Sequence, residues 1–177
     1  MNYIVAGLLI LIFAATAKTA FASTSQTPTK QTIPYENLFD SYTAIHGVSK
    51  RLMVSIVKKE SSFNPKAFNP ESAADKRKGR NVDSVGLAQI LYPDTAKAFR
   101  PDISIDELFV PEVNLKIAYE LMSGLLRAHP RKDSDGFNSY AVAAYNAGSP
   151  RFLSNGTFVN QSYVDGVKTN WKGYSYV

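Results

Sequence analysis

Glu60 is the residue whose type and position most directly suggest chemistry. It ends a helix predicted from Ser49 to Glu60, in which Leu52, Ile56 and Glu60 follow one another at four-residue spacing. The carboxyl group therefore projects from the apolar stripe, the face that a helix normally buries. Apolar surroundings disfavour the charged form of a carboxyl group, so it stays protonated near neutral pH and can donate a proton. Periodicity alone leaves open the alternative, a helix-terminal glutamate that turns back to solvent.

Nucleophilic and metal chemistry have little support elsewhere in the sequence. The chain has no cysteine, so it has neither a disulfide framework nor a thiolate metal site. Its two histidines, His46 and His129, are far apart, which gives thin support to catalysis by a Ser-His-Asp arrangement. The run Asp133-Ser134-Asp135-Gly136 is too short for a calcium loop and is typical of a turn.

The elements that must position Glu60 are mostly helices. A first helix is predicted from about Tyr35 to His46, ended by Gly47, and Ser49 can cap the helix that carries Glu60. The chain from Asn64 to Asp83 is expected to be irregular. Further predicted elements run from Pro93 to Phe99, Asp106 to Phe109 (one turn), Val113 to Ala128, Phe137 to Ala147 and Tyr163 to Trp171, with a minor hairpin between Leu153 and Val159. These patterns predict one mainly α domain.

The N-terminal residues form a separate segment. Tyr3 to Ala17 is almost unbroken apolar sequence, too short for a membrane span, and Ala20-Phe21-Ala22 is a small-x-small cleavage pattern. We interpret residues 1–22 as a secretory signal peptide, residues 23–34 as a linker and residues 35–177 as the folded domain. The usual basic residues before the apolar run are missing, which leaves a retained anchor open. A membrane partner is expected only if this segment stays attached.

The charge of the chain favours an anionic partner. Its formal net charge is +5, which suits a cell wall or membrane surface. No basic-aromatic RNA motif or DNA-reading helix is present, so no nucleic-acid partner is expected. The run from Asp75 to Arg80 is the densest charge cluster, which is either a solvated loop or a rim contact to an anionic substrate.

Five short blocks occur in order along the chain. They are Glu60-Ser61-Ser62-Phe63-Asn64-Pro65, Gly86-Leu87-Ala88-Gln89-Ile90, Pro111-Glu112-Val113-Asn114-Leu115, Ala144-Tyr145-Asn146-Ala147-Gly148, and Tyr163-Val164 with Val167. Together they resemble the lytic transglycosylase (SLT) domain family over residues about 35 to 175. Ala88 stands where methionine is usual in this family.

The resemblance implies a lysozyme-like (goose-type/SLT) single domain with a groove for the glycan strands of peptidoglycan. Glu60 matches the family's single catalytic acid/base, and Tyr145 matches the tyrosine that hydrogen-bonds and orients it. Gln89 and Asn146 match positions that line the sugar subsites. Ser61 belongs to the same substrate site, where it is expected to support the site rather than touch the reacting bond.

The implied reaction needs one carboxylate because the substrate supplies its own nucleophile. Glu60 would cleave the β-1,4 bond between N-acetylmuramic acid (MurNAc) and N-acetylglucosamine (GlcNAc), and the MurNAc 6-hydroxyl would close a 1,6-anhydro ring. No metal or cofactor is required. The alternatives are a goose-type lysozyme-like hydrolase, in which Asp75 or Asp83 positions a water molecule, and a non-catalytic wall-binding assembly component.

One departure from the commoner family pattern suggests a biological setting. The gap from Glu60 to Gly86 is 26 residues, longer than is usual, and it carries the basic cluster. Such inserts resemble transglycosylases of conjugative and other envelope-spanning secretion systems. We therefore expect an exported enzyme of the bacterial periplasm or envelope that opens the wall locally for such machinery. A phage-borne wall-degrading enzyme is the alternative.

Overall fold

The protein is described here from a computed structural model, which covers residues 32–70 and 82–175. The predicted signal segment, most of the predicted linker, and the basic cluster from Asp75 to Arg80 lie outside the described residues. Ile33, which the predicted linker includes, is buried in the core.

The described residues form six α-helices, a short 3-10 helix and three short strands. Each predicted helix is present, and its ends lie within about two residues of the prediction. The helices are α1 Glu36–His46, α2 Lys50–Ser61, α3 Asp94–Phe99, α4 Pro111–Ala128, α5 Ser139–Ala147 and α6 Gln161–Gly173, with the 3-10 helix Asp106–Phe109; the strands are β1 Phe68–Asn69, β2 Asp83–Val85 and β3 Ile90–Tyr92.

Helix α2 is the central element of the fold. Its residues 52–57 are all buried, and it packs against both α1 and α6. The side chain of Ser49 accepts a hydrogen bond from the backbone N–H of Leu52 (3.4 Å), which confirms the predicted cap. The helix ends at Ser62 and Phe63, which both have positive φ angles and turn the chain away. Glu60 is therefore held at the end of a helix whose middle is completely buried.

The small antiparallel sheet corrects the prediction of irregular chain between Asn64 and Asp83. Its strand order is β1-β2-β3, and residues Ser84 and Leu91 are paired. The strands are two to three residues long, too short to show an alternating pattern in the sequence. Pairing between distant segments creates them, so local patterns do not reveal them.

The other predicted elements are also present. Helix α4 is the longest, and it packs on α1 and α5 through a buried stripe. The predicted hairpin is confirmed by an antiparallel bridge between Phe152 and Phe158, with Gly156 in its turn at φ +82°. Across the described ranges, no helix combines the length and the apolar character needed to cross a membrane.

Candidate active site

The carboxyl group of Glu60 lies in the last turn of α2, largely shielded from water. The hydroxyl of Tyr163 donates a hydrogen bond of 2.6 Å to its Oε1. Burial raises the pKa of Glu60 from its usual 4.5 to about 7, while the Tyr163 hydrogen bond and the charge of Lys59 act in the opposite direction. Both protonation states are therefore accessible near neutral pH, as an acid that later acts as a base requires.

Tyr163 is held in place by the first turn of α6. Its side chain is buried, and Val164 and Val167 of the same helix lie in the core. Burial and the nearby charge of Glu60 raise the pKa of Tyr163 well above its usual 10, so the phenol stays neutral and keeps its proton to donate.

The prediction that Tyr145 hydrogen-bonds Glu60 is wrong in this structure. The Tyr145 hydroxyl instead donates to the backbone carbonyl oxygen of Ala88, at 2.9 Å. Tyr145 does lie beside Glu60, because they line the same cleft and the charge of Glu60 helps to raise the pKa of Tyr145. Its hydroxyl ties the C-terminal turn of α5 to the segment before β3, so it can position that segment.

Sequence reasoning did not identify Tyr163 as a partner of Glu60, although a signal for it was present. Tyr163 and Val167 are four residues apart on one face of a predicted helix, so the tyrosine places a polar hydroxyl on an apolar stripe. A buried hydroxyl needs a partner, just as a buried carboxyl group does. Pairing these two groups would have made Tyr163 one candidate partner for Glu60, alongside tyrosines on other apolar helix faces such as Tyr119.

Gly86 and Asn114 together shape the turn at residues 86–89, which leads into β3. Gly86 has a φ of +77°, and a Cβ atom there would collide with the Asn114 side chain and the Leu108 carbonyl oxygen. The fully buried Asn114 donates to the carbonyl oxygens of Val85 (2.8 Å) and Leu108 (2.9 Å), and it accepts from the N–H of Ala88 (2.8 Å). This close packing fixes the turn against α4.

Gln89 occupies the end of the same turn at a φ of +49°, which is uncommon for a residue with a side chain. Its Nε2 donates to the carbonyl oxygens of Gly86 (3.0 Å) and Ala67 (3.3 Å). Both amide hydrogens are therefore directed at the backbone, and Oε1 is the side-chain group that Gln89 can offer to a ligand.

Ser61 links two segments of the site through its hydroxyl. Its hydroxyl donates to the carbonyl oxygen of Leu87 at 2.7 Å and contacts that of Val57 at 3.3 Å. A hydroxyl has one hydrogen, so these contacts use its donor. Ser61 thus links the end of α2, which carries Glu60, to the 86–89 turn, which carries Gln89.

Four of the five predicted site residues line the cleft: Glu60, Gln89, Tyr145 and Asn146. The fifth, Ser61, bonds the backbone behind it. Sequence reasoning missed three lining residues, because the sheet that carries all three was itself unpredicted. These are Asn69, Ser84 and Leu91.

Glu60 is the one carboxylate among the described residues that line this cleft. Ser84 and Leu91 face the cleft, and side chains alternate along a strand, so the neighbouring pair Asp83 and Tyr92 faces the other side of the sheet. Asp83 indeed lines a separate cavity with Tyr92 and Lys97. Asp75, the other water-positioning candidate, lies outside the described residues.

The described residues also contain no cluster of three or more histidine or acidic side chains arranged to hold a metal ion. In the 133–136 turn, Asp133 and Asp135 contact Lys168 at 2.8 and 3.1 Å, so the turn carries an ion-pair network.

Comparison with known proteins identifies the class to which this fold and site belong. The family model described as "Transglycosylase SLT domain" matches residues 37–157, which is more than half of the chain. The chain therefore belongs to the transglycosylase SLT domain family, and its fold is lysozyme-like. A search of curated proteins found no match.

Three solved structures share the fold. They are an inactive mutant of the lytic transglycosylase Slt from Pseudomonas aeruginosa (20% identity, TM-score 0.59), the 70-kDa soluble lytic transglycosylase from Escherichia coli (25%, 0.51), and the 70-kDa soluble lytic transglycosylase in complex with bulgecin A (22%, 0.61). The matches cover 80–81% of this chain but only 19–24% of those larger proteins.

Proposed function

We propose that this protein is a peptidoglycan lytic transglycosylase that cleaves the β-1,4 bond between MurNAc and GlcNAc and forms 1,6-anhydro-MurNAc. The observation that carries the proposal is a part-buried Glu60, with a pKa of about 7 and one phenolic partner, in a cleft lined by no other described carboxylate. Family membership and the lytic transglycosylases that share the fold support it.

The hydrogen bond from Tyr163 assigns different tasks to the two oxygens of Glu60. Because Tyr163 occupies Oε1, Oε2 is the oxygen left to carry and deliver the acidic proton. In the first step, Oε2 protonates the glycosidic oxygen, the bond to C1 of MurNAc breaks, and GlcNAc leaves with a free 4-hydroxyl. The N-acetyl oxygen of MurNAc supports the positive charge that develops at C1.

In the second step, the Glu60 carboxylate acts as a base. It removes the proton from the 6-hydroxyl of the same MurNAc, and O6 bonds to C1 to close the anhydro ring. Glu60 regains its proton and no water is consumed. Most glycosidases need two carboxylates because one must activate water or attack the sugar directly. A nucleophile within the substrate removes that need, which fits the single carboxylate of this cleft.

The first test is clearing of peptidoglycan in a zymogram by the wild type and by Glu60→Gln. The wild type should clear the gel and Glu60→Gln should not, because glutamine cannot donate the required proton. The Pseudomonas aeruginosa relative is described as inactive with the same type of substitution. Asp83→Asn is the matched control, since Asp83 lies on the opposite face of the sheet and its variant should clear normally. Equal clearing by Glu60→Gln would refute its catalytic role.

The second test identifies the products. Mass spectrometry of digested peptidoglycan should show anhydro-muropeptides, each lighter by one water than the hydrolysis product. Products that lack the anhydro ring would instead assign the protein to the hydrolases, and loss of clearing in Asp83→Asn would point to the same conclusion.

We further propose that the protein is exported and opens the wall locally for an envelope-spanning secretion or conjugation apparatus. This proposal is based on the apolar N-terminal segment and on the long gap between Glu60 and Gly86. Mass analysis of the protein recovered from the periplasm should show a chain that begins after Ala22. A host that lacks the protein should assemble the apparatus poorly while its wall turnover stays normal. A general defect in wall turnover would contradict the local role.

A further inference from the structure

Asn160 stands immediately before α6 and forms hydrogen bonds with both α5 and α6. Its side-chain Nδ2 donates to the backbone carbonyl oxygen of Ala143 (3.0 Å) and to Oδ1 of Asn146 (2.9 Å). Its backbone carbonyl oxygen accepts from the N–H groups of Tyr163 (2.9 Å) and Val164 (3.3 Å), which starts α6. Asn160 thus connects the helix that carries the partner of Glu60 to a residue that lines the cleft.

These contacts determine which way round the Asn146 amide is held. A backbone carbonyl oxygen can only accept, so Ala143 requires Asn160 to present its Nδ2. With Nδ2 in that place, the atom of Asn146 that faces it must be an acceptor, Oδ1. The group that Asn146 has left for a ligand is its Nδ2, and Asn146 is exposed where it lines the cleft.

The remaining oxygen of Asn160 shows that this orientation has a cost. Its Oδ1 is buried and has no hydrogen-bond partner among the described residues. A buried acceptor without a donor lowers stability. Turning the amide around would place its oxygen against the carbonyl oxygen of Ala143, two acceptors with no hydrogen between them, which is worse. The unpaired oxygen is therefore a consequence of presenting Nδ2 to Asn146.

We propose that Asn160 is a positioning residue that determines the specificity of the cleft by fixing Asn146 as a hydrogen-bond donor. The subsite beside Glu60 then requires an acceptor on the sugar, such as the carbonyl oxygen of an N-acetyl group or a hydroxyl oxygen. This inference rests on the proposed function, because it concerns the binding of a glycan in that cleft.

The test separates binding from chemistry by using the Glu60→Gln background. Binding of soluble, uncrosslinked peptidoglycan strands is measured by calorimetry for Asn146→Ala, Asn160→Ala and the double variant. Each single variant should raise the Kd about three- to tenfold, the value of one ordinary hydrogen bond. Because Asn160 acts through Asn146, the double variant should bind no more weakly than Asn146→Ala alone. Additive losses would overturn the proposal.

A second substitution keeps the test independent of folding. Asn146→Asp preserves an acceptor for Asn160 but removes the donor that faces the ligand, so its Kd should rise at least as much while its Tm stays near that of its background. Unchanged binding by Asn146→Asp would refute the donor role. Gln161→Ala is the matched control, because Gln161 also precedes Tyr163 and bonds Phe158 and Asp165 but does not contact Asn146.

Catalytic measurements distinguish a failure of this inference from a failure of the proposed function. In the active background, Asn160→Ala should raise KM several-fold and leave the alkaline pKa of kcat unchanged, since Tyr163 still bonds Glu60. A shift in that pKa would show that Asn160 acts through Tyr163 instead. A wild type that releases no anhydro-muropeptides would refute the proposed function, whereas binding data that fail the double-variant test refute only the role of Asn160.

Discussion

Replacing Glu60 with glutamine should abolish activity and stabilise the protein in a pH-dependent way. Burial raises the pKa of Glu60 from 4.5 to about 7, so the folded protein holds this proton more tightly than the unfolded chain does. At 1.36 kcal/mol per pKa unit, the charged form destabilises the folded state by about 3 kcal/mol above pH 7. Glutamine has nearly the same shape as protonated glutamate and never ionises, so it avoids this cost.

The sign of the effect follows from where the proton resides. Below pH 4.5, Glu60 is protonated in both states, and the substitution should change stability little. Between pH 4.5 and 7 the unfolded chain loses this proton while the folded protein keeps it, so the stability of the wild type falls as pH rises. The advantage of Glu60→Gln should therefore grow over this window and reach its full value near pH 8.

Thermal unfolding followed by circular dichroism from pH 4 to pH 8 measures this difference. A gain of about 3 kcal/mol corresponds to a rise in Tm of roughly 10 °C for a chain of this size. A variant with equal or lower Tm than the wild type at pH 8 would refute the assignment of Glu60 to a desolvated site. So would a gain that does not depend on pH.

Glu107→Gln provides a control of opposite sign. Glu107 accepts hydrogen bonds from the backbone N–H (2.9 Å) and hydroxyl (3.0 Å) of Ser104, which hold its pKa below the usual value, with a further contribution from Arg100. Glutamine there should lower stability at neutral pH, and the loss should disappear as pH falls. The two substitutions together show whether the local environment of each carboxylate, rather than the loss of a charge, determines the result.

The other predictions concern residues that position Glu60. Tyr163→Phe removes a hydrogen bond worth about 1.5–3 kcal/mol to the charged carboxylate, which should raise the pKa of Glu60. The alkaline limb of the pH profile of kcat/KM should therefore move up by about one to two pH units. An unmoved limb would count against this contact. Tyr145→Phe should lower Tm by about 3 °C and reduce turnover without moving that limb, because its hydroxyl bonds Ala88. Gly86→Ala should cost about 3 kcal/mol in urea unfolding, through positive φ and the collision with Asn114. An unchanged urea midpoint would contradict that packing.

The helices were predictable because each follows a local rule. A helix that packs on a core repeats its apolar residues every three to four positions, and its ends carry capping residues such as Ser49 and Gly47. The strands were not predictable, because Asp83–Val85 and Ile90–Tyr92 are too short to repeat anything. Their pairing produces the cleft wall that carries Ser84 and Leu91.

The sequence by itself determined the family resemblance, the helical frame and the acid on the apolar face of α2. It also marked Gln89, Tyr145 and Asn146, each of which lines the cleft with Glu60. Only the tertiary structure decided which tyrosine holds Glu60, which carboxylates stay away from it, and which atom Asn146 can offer. The physical reason is distance along the chain: Tyr163 and Glu60 are 103 residues apart, yet their oxygens are 2.6 Å apart. Periodicity describes which face a side chain occupies, whereas a hydrogen bond depends on where two such faces meet.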